Sequence, residues 1–232
     1  MNEKQTAPEV ELQTKFGKWL ENFWYHYKWQ TVFVAFLLIV GVVSFVQCAS
    51  ETPSDVTVTY AGNLMFSDSE QLGFGQVLSD VCPVDVDGNG DTSAALAIFS
   101  IFTEEQLNTL YTYTDPETGE ERIDKSSMMA AKQYNTERIQ TMQTYIMTGD
   151  CAVWMVSPYV YEMMFEGKVR IVEKIPLKET ALYRTYNAVK NVLPSDTIVL
   201  LTYPTLGAYS SEEAFAIAEE YYHEIVGDRA HG

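Results

Sequence analysis

The chain has few of the residues from which catalytic and metal-binding motifs are usually built. It contains three cysteines and three histidines in 232 residues, and no Cys-x-x-Cys pair occurs, so a structural zinc site is not indicated. His26, His223 and His231 are too scattered to predict a base beside a nucleophile. Neither Gly-x-Ser-x-Gly nor His-Glu-x-x-His occurs. We therefore predict no catalytic residue and no organic cofactor site.

Positive charge is also scarce. The chain has 15 Lys and Arg against 32 Asp and Glu, a formal net charge of −17. Residues 1–50 hold four Lys and four Glu, so the whole excess of acid lies after them, and no Lys or Arg occurs between Lys28 and Arg122. This balance argues against a nucleic-acid partner and against a domain that lies flat on anionic lipid. Cations and basic partners remain open.

Charge is absent altogether from Val32 to Val46, a run of fifteen residues. With its aromatic flanks the run reaches about 20 residues, enough to cross a hydrocarbon core of about 30 Å as a helix. We predict a transmembrane helix over residues 29–49. Lys15, Lys18 and Lys28 lie on its amino-terminal side, so the positive-inside rule predicts a cytoplasmic N-terminus and an extracellular C-terminal domain at the cell membrane.

A cleaved export signal is the rival interpretation of the same run. The preceding region is long and carries four Glu, and no clean small-x-small site follows the run. We therefore expect an uncleaved, single-pass anchor. Residues 1–28 are predicted to form a cytoplasmic or interfacial amphipathic segment, so that contact with lipid extends over residues 12–49. Its apolar positions are Leu12, Phe16, Trp19, Leu20, Phe23 and Tyr27.

The remainder is predicted to form a stalk over residues 50–55 and one domain over residues 56–232. Periodicity and capping residues predict strands at 56–60, 94–102, 151–156 and 197–203, and helices at 67–80, 104–110, 125–147, 158–165 and 210–225. This alternation predicts an α/β fold: a three-layer α/β/α domain with a mostly parallel sheet. Because residues 94–102 are apolar on both faces, we expect a central strand there.

Two cysteines of this domain leave an alternative open. Cys82 and Cys151 each precede a predicted strand, and an oxidising exterior would permit a disulfide between them. Two free buried thiols are the other interpretation.

The order strand, helix, strand, long helix is followed by Thr148-Gly-Asp-Cys-Ala-Val-Trp-Met-Val156. It resembles the first lobe of type II extracytoplasmic solute-binding proteins, over about residues 56–165. The family usually has an acid where this chain has Ala152, and the domain has about half the length of a two-lobed binding protein. With the aromatic entry to the span, the whole chain is similar to small single-span surface proteins of Gram-positive, Clostridia-like bacteria. The resemblance implies a bacterial surface protein with a reduced solute-binding-like domain.

One loop predicts a metal site. Residues 85–91 read Asp-Val-Asp-Gly-Asn-Gly-Asp, which puts oxygen ligands at positions 1, 3 and 5 of a calcium loop and Gly90 at the bend. Position 12 is Leu96, so this is not a regular EF-hand, and a carboxylate from elsewhere must complete the shell. The alternative is a metal-free turn, because Asp, Asn and Gly favour turns. The expected ligands of a structural calcium ion are Asp85, Asp87, Asn89, the carbonyl of Asp91, and Ser93.

Three functions are consistent with these features. The leading hypothesis is a non-enzymatic, membrane-anchored binding or interaction module outside the cell, with a protein or small-molecule partner. The second is a reduced solute-binding component of an importer, which predicts a cleft near Gly149–Asp150. The third is an extracytoplasmic hydrolase that uses acids near Asp85.

Overall fold

The computed structural model describes residues 15–50, 54–204 and 206–227. The chain divides into two units, residues 1–52 and 53–232. In the first unit, α1 (Lys15–Ser50) is one continuous helix of 36 residues, so the predicted amphipathic segment and span are not separated by a break. Trp19 stacks on Phe23 and Phe23 on Tyr27 at ring distances of 5.6 and 5.3 Å, as expected for residues four apart on one helix face. Leu12 lies outside the described residues.

Within α1, the segment Phe23–Ser44 is long and apolar enough to cross a membrane, with 22 residues and a mean hydropathy of 1.6. None of its side chains is buried. It begins six residues before the predicted span of 29–49 and ends five residues before that span ends.

The second unit is a mixed α/β fold. Its strands are β1 (Val56–Gly62), β2 (Ala94–Ser100), β3 (Thr112–Thr114), β4 (Glu121–Ile123), β5 (Val153–Val156), β6 (Ile171–Pro176) and β7 (Ile198–Thr202). Its α-helices are α2 (Asp68–Asp80), α3 (Glu104–Leu110), α4 (Lys125–Thr148), α5 (Pro158–Val160), α6 (Ala181–Thr185), α7 (Asn187–Val192) and α8 (Glu212–Val226). A π-helical turn (Tyr161–Phe165) follows α5, and a 3₁₀ turn (Leu177–Glu179) follows β6.

The helices begin and end at residues that the sequence marks. Ser67 caps α2 in a reciprocal capping box with Glu70, and the Ser211 side chain accepts from a backbone N–H in the first turn of α8. Helix α4 ends at Gly149, whose φ of 67° is the left-handed conformation that glycine adopts without strain. A Cβ at Gly149 would collide with the carbonyl of Leu206, so the chain crosses itself here backbone to backbone.

The five-stranded sheet has the order β2-β1-β5-β7-β6. Strand β1 pairs in parallel with β2 and β5, whereas β7 is antiparallel to both of its neighbours, β5 and β6. Four of the five strands therefore run in one direction, and the predicted mostly parallel sheet is confirmed.

The predicted central position of residues 94–102 is wrong, because β2 lies at the edge of the sheet. Helices α2 and α4 both contact this strand, which explains why its residues are apolar on both faces although one edge is unpaired within the described residues. Covering of the two faces and covering of the two edges are separate properties, and only the first leaves a signal in the hydrophobic pattern.

Two hydrophobic clusters pack against the sheet, and successive residues of β5 alternate between them. Val153 and Met155 belong to the larger cluster, with side chains from α2, α6, α7 and α8. Trp154 and Val156 belong to the other, with Met142 of α4. Both Cys82 and Cys151 are free and buried, one in each cluster, so the free-thiol alternative is confirmed.

Candidate functional site

The acidic loop predicted to hold calcium connects α2 to β2 and is closed by its own carboxylates. Asp85 Oδ1 accepts from the Gly88 N–H at 2.7 Å, and Asp85 Oδ2 accepts from the Gly90 N–H at 2.8 Å. Gly88 and Gly90 have φ values of 72° and 94°, a conformation that favours glycine. The glycines therefore fold the loop back so that its backbone N–H groups face Asp85.

A carboxylate from outside the loop joins it. Asp55 lies immediately before β1; its Oδ1 accepts from the Val86 N–H at 2.6 Å, and its Oδ2 accepts from the Ser93 N–H at 2.7 Å. Strands β1 and β2 pair in parallel with Val56 opposite Ala94. The residues that precede these two strands, Asp55 and Ser93, therefore lie side by side. The sheet register therefore brings Asp55 to the loop, and Asp55 belongs to the folded unit although the predicted stalk included it.

Asp55, Asp85 and Asp87 form a triad in which one carboxylate oxygen of each lies within 4.8 Å of the others. Asp85 and Asp87 are exposed, and Asp55 is half-buried. Oxygens that share one calcium ion at about 2.4 Å are at most about 4.8 Å apart, so the spacing fits such an ion. Each oxygen of Asp85 and Asp87 accepts one protein hydrogen bond and keeps a second lone pair for a cation, whereas each Asp55 oxygen accepts two hydrogen bonds and would give up one of them to an ion.

The other predicted ligands are arranged around the triad rather than in it. The Asn89 amide donates to Asp87 Oδ2 at 2.7 Å, while Asn89 Oδ1 accepts from the Asp91 N–H at 2.7 Å. Ser93 Oγ donates to Asp55 Oδ2 at 3.1 Å. The Asp91 side chain is not part of the triad. Sequence reasoning missed Asp55, although in-register pairing of the first two strands would have placed it beside Ser93.

The hydrogen bonds also set the ionisation of Asp55. Burial raises the pKa of this carboxyl, but the N–H groups of Ser93, Val86 and Asp87 and the Ser93 hydroxyl outweigh burial and hold the pKa below its ordinary value. Asp55 is therefore ionised over the whole neutral range, in the form that a hard cation requires.

A cavity of about 220 Å³ lies at the end of the sheet where β5 and β6 begin and β7 ends. The acidic loop lies at this same end, where β1 and β2 begin. Cys151, Arg170 and Tyr203 flank these strand ends, and Ile146 and Met147 close the cavity from the last turns of α4. Gly149–Asp150, where a cleft is expected for a solute-binding component, connects α4 to Cys151. Burial raises the pKa of the Cys151 thiol to about 12, so this wall of the cavity carries no thiolate.

No protein-family model, curated protein or solved structure matches the chain. Its function is therefore inferred from the residues and their geometry.

Proposed function

We propose that the protein is a non-enzymatic binding module that α1 anchors in the cell membrane, with its acidic α/β unit outside the cell. The observation that carries this proposal is the segment Phe23–Ser44, whose apolar side chains are exposed on all sides of the helix. A helix that is apolar all round has no stable place in water and needs lipid or protein around it. The lysines on its amino-terminal side support a cytoplasmic N-terminus.

The acidic triad gives this module a structural cation site. Three carboxylates that converge within 4.8 Å repel one another, and a calcium ion at their centre would turn that repulsion into attraction. Asp55 supplies the carboxylate that the loop itself lacks at the twelfth position. The ion would tie the loop before β2 to the residue before β1, two elements otherwise joined by the strand pairing. Extracellular modules use such sites at affinities of roughly 10⁻⁴–10⁻³ M.

We propose a three-layer α/β/α arrangement for the unit outside the membrane. The two hydrophobic clusters, with α2 and α8 in one and α4 in the other, support it.

A reduced solute-binding component of an importer is the second candidate function, and the cavity next to Gly149–Asp150 supports that role. This second candidate predicts that the full chain co-purifies with an integral membrane transporter after cross-linking in its native membrane, whereas the leading proposal does not require one.

Orientation is tested by labelling single cysteines in intact cells with a membrane-impermeant maleimide. The parent for this experiment carries Cys48→Ser. Its remaining cysteines, Cys82 and Cys151, are buried, so little labelling is expected before a new cysteine is introduced. Thr118→Cys, in the exposed turn between β3 and β4, is expected to be labelled in intact cells. Thr6→Cys is expected to be labelled only after permeabilisation. The opposite pattern, or labelling of both positions only after permeabilisation, would overturn the extracellular assignment.

A further inference from the structure

The strongest unassigned feature is the cavity beside Trp154, because two cations and no described carboxylate line it. The Trp154 side chain is 1% exposed, and its Nε1–H is one of four buried side-chain polar atoms without a hydrogen-bond partner in the described residues. An indole N–H can only donate, and leaving it unpaired in the interior costs about 1–3 kcal/mol. The Trp154 side chain borders the cavity, so its indole can report on what the cavity holds.

Two cations border the same cavity. Arg170 lies over the ring of Tyr203 at 4.6 Å, and Lys168 donates to the carbonyl of Met163. Neither has a carboxylate within ion-pair distance among the described residues, in a chain with about twice as many acids as bases. Among the residues that the structure describes, no Asp or Glu lines the cavity, and the Cys151 thiol is neutral. The cavity is therefore a positive site within an acidic unit.

The rest of the lining is mostly apolar, and the cavity itself is small. Ile146, Met147, Val169 and Pro204 contribute apolar surface. The Thr202 hydroxyl, one of the polar groups of the lining, donates to the Ala152 carbonyl at 3.2 Å. Ligand cavities for drug-sized molecules measure roughly 300–1,000 Å³, so a cavity of about 220 Å³ suits a smaller ligand. A bare inorganic anion would leave the apolar walls without a partner.

We propose that this cavity binds a small organic carboxylate with a short apolar tail, its carboxylate held by Arg170 and Lys168. Arginine can meet both carboxylate oxygens at once, and its stacking on Tyr203 already restricts the guanidinium plane. The tail lies against Met147 and Val169. This site goes beyond the anchor and the calcium loop and does not depend on the orientation of the chain.

Trp154 makes the test specific, because it is the only one of four tryptophans that follows residue 29. Trp19, Trp24 and Trp29 are replaced by Phe in the full chain, which is reconstituted in nanodiscs so that Trp154 is the only indole. Butyrate and phenylacetate are the probes, with butyramide as the uncharged analogue of butyrate and inorganic phosphate as the anion without a tail. Binding is detected by the change in tryptophan fluorescence emission, and calorimetry measures the dissociation constant.

We expect at least one of the two carboxylates to change Trp154 emission and to bind at least about tenfold more tightly than butyramide and phosphate. Arg170→Gln should weaken that binding about ten- to one-hundredfold. Arg138→Gln is the matched control, because Arg138 also lies over a tyrosine ring, that of Tyr134 at 4.8 Å, but away from the cavity. The Arg138→Gln variant should bind the carboxylate with the same affinity as the parent.

Lys168→Gln provides a second variant in case Arg170→Gln does not fold, and circular dichroism establishes folding for each. Three results would overturn the proposal: neither carboxylate binds, phosphate binds more tightly than both carboxylates, or a folded variant of either cation binds as the parent does. The first result would mean that the cavity holds only water.

Discussion

Asp55→Asn is the change that most directly tests the proposed calcium site. Asp55 contributes one of three converging carboxylates, and its four hydrogen bonds to Val86, Asp87 and Ser93 fix its position. The substitution removes one negative charge. It also replaces one carboxylate oxygen, which accepts from an N–H group, with an NH₂ group that can only donate. We expect the variant to lose most of the stabilisation by calcium, and to be less stable than the parent even without calcium.

The size of the calcium effect follows from ligand linkage. With a dissociation constant of roughly 10⁻⁴–10⁻³ M, about 10 mM calcium stabilises the folded state by about 1.4–2.7 kcal/mol. For a unit of this size, about 1 kcal/mol corresponds to about 2–4 °C in the melting temperature. The parent should therefore gain about 3–11 °C in calcium. Asp55→Asn should gain less than about 2 °C, which is the shift expected once the dissociation constant reaches about 10 mM, roughly a tenfold loss of affinity from the weak end of that range and a hundredfold loss from the tight end.

The assay is the thermal unfolding of the full chain in nanodiscs, followed by circular dichroism with and without calcium at constant ionic strength. Asp91→Asn is the matched control, because Asp91 lies in the same loop but its carboxylate is not part of the triad. It should retain the calcium shift of the parent. If the parent shows no shift, the loop is a metal-free turn. If Asp55→Asn keeps the full shift, the triad is not the site.

Three further predictions concern stability. Tyr221→Phe should cost about 1–3 kcal/mol, because the buried Tyr221 hydroxyl donates to the Leu78 carbonyl in the last turn of α2 at 2.6 Å; denaturant unfolding measures this cost, and an unchanged midpoint would contradict it. Gly149→Ala should cost at least about 1–2 kcal/mol because the backbone is left-handed there, whereas the control Gly75→Ala, with open space in α2, should stabilise; equal effects on the melting temperature would refute this. Hydrogen bonds from Ser127 and Ser126 lower the pKa of Asp124, the cap of α4, to about 2. The resulting stabilisation is complete above the unfolded pKa of about 3.9 and is lost as the pH falls toward 2, so the melting-temperature difference between the parent and Asp124→Ala should shrink over that range and stay constant above about pH 5.

Local signals predicted most helices of the acidic unit well. Ser67 and Ser211 mark helix starts because a hydroxyl can accept from a free backbone N–H of the first turn, and Gly149 marks a helix end because it tolerates a left-handed backbone. These interactions are complete within four or five residues. The sequence therefore contains all the information that they need.

Features that depend on strand order were not predictable in the same way. The sequence does not indicate that β2 is an edge strand, because its hydrophobicity reports only that both faces are covered. Strand β6 was missed because it mixes Glu173 and Lys174 with apolar residues and contains a bulge between Ile171 and Glu173. Pro176 at its end also weakens the strand signal.

The candidate sites show the same division. Asp85 and Asp87 belong to one contiguous motif, so the sequence could reveal them. Asp55 joins them only through the register of β1 with β2. The cavity beside Trp154 combines residues from α4, β5, β7 and the segment before β6. It lies at the amino-terminal ends of the parallel strands, whereas ligands of open α/β sheets usually bind beyond the carboxyl ends. No sequence spacing predicts such a combination.

One edge of β2 has no partner strand within residues 15–50, 54–204 and 206–227, and this has a practical consequence for handling the protein. This strand contains seven residues, none of them charged or proline, so it lacks the lysines and prolines with which proteins usually prevent strand-to-strand association. Mutual repulsion between copies that each carry a net charge of −17 is expected to oppose such association. High salt screens this repulsion and acid neutralises it, so concentrated samples should stay dispersed best near neutral pH at low ionic strength.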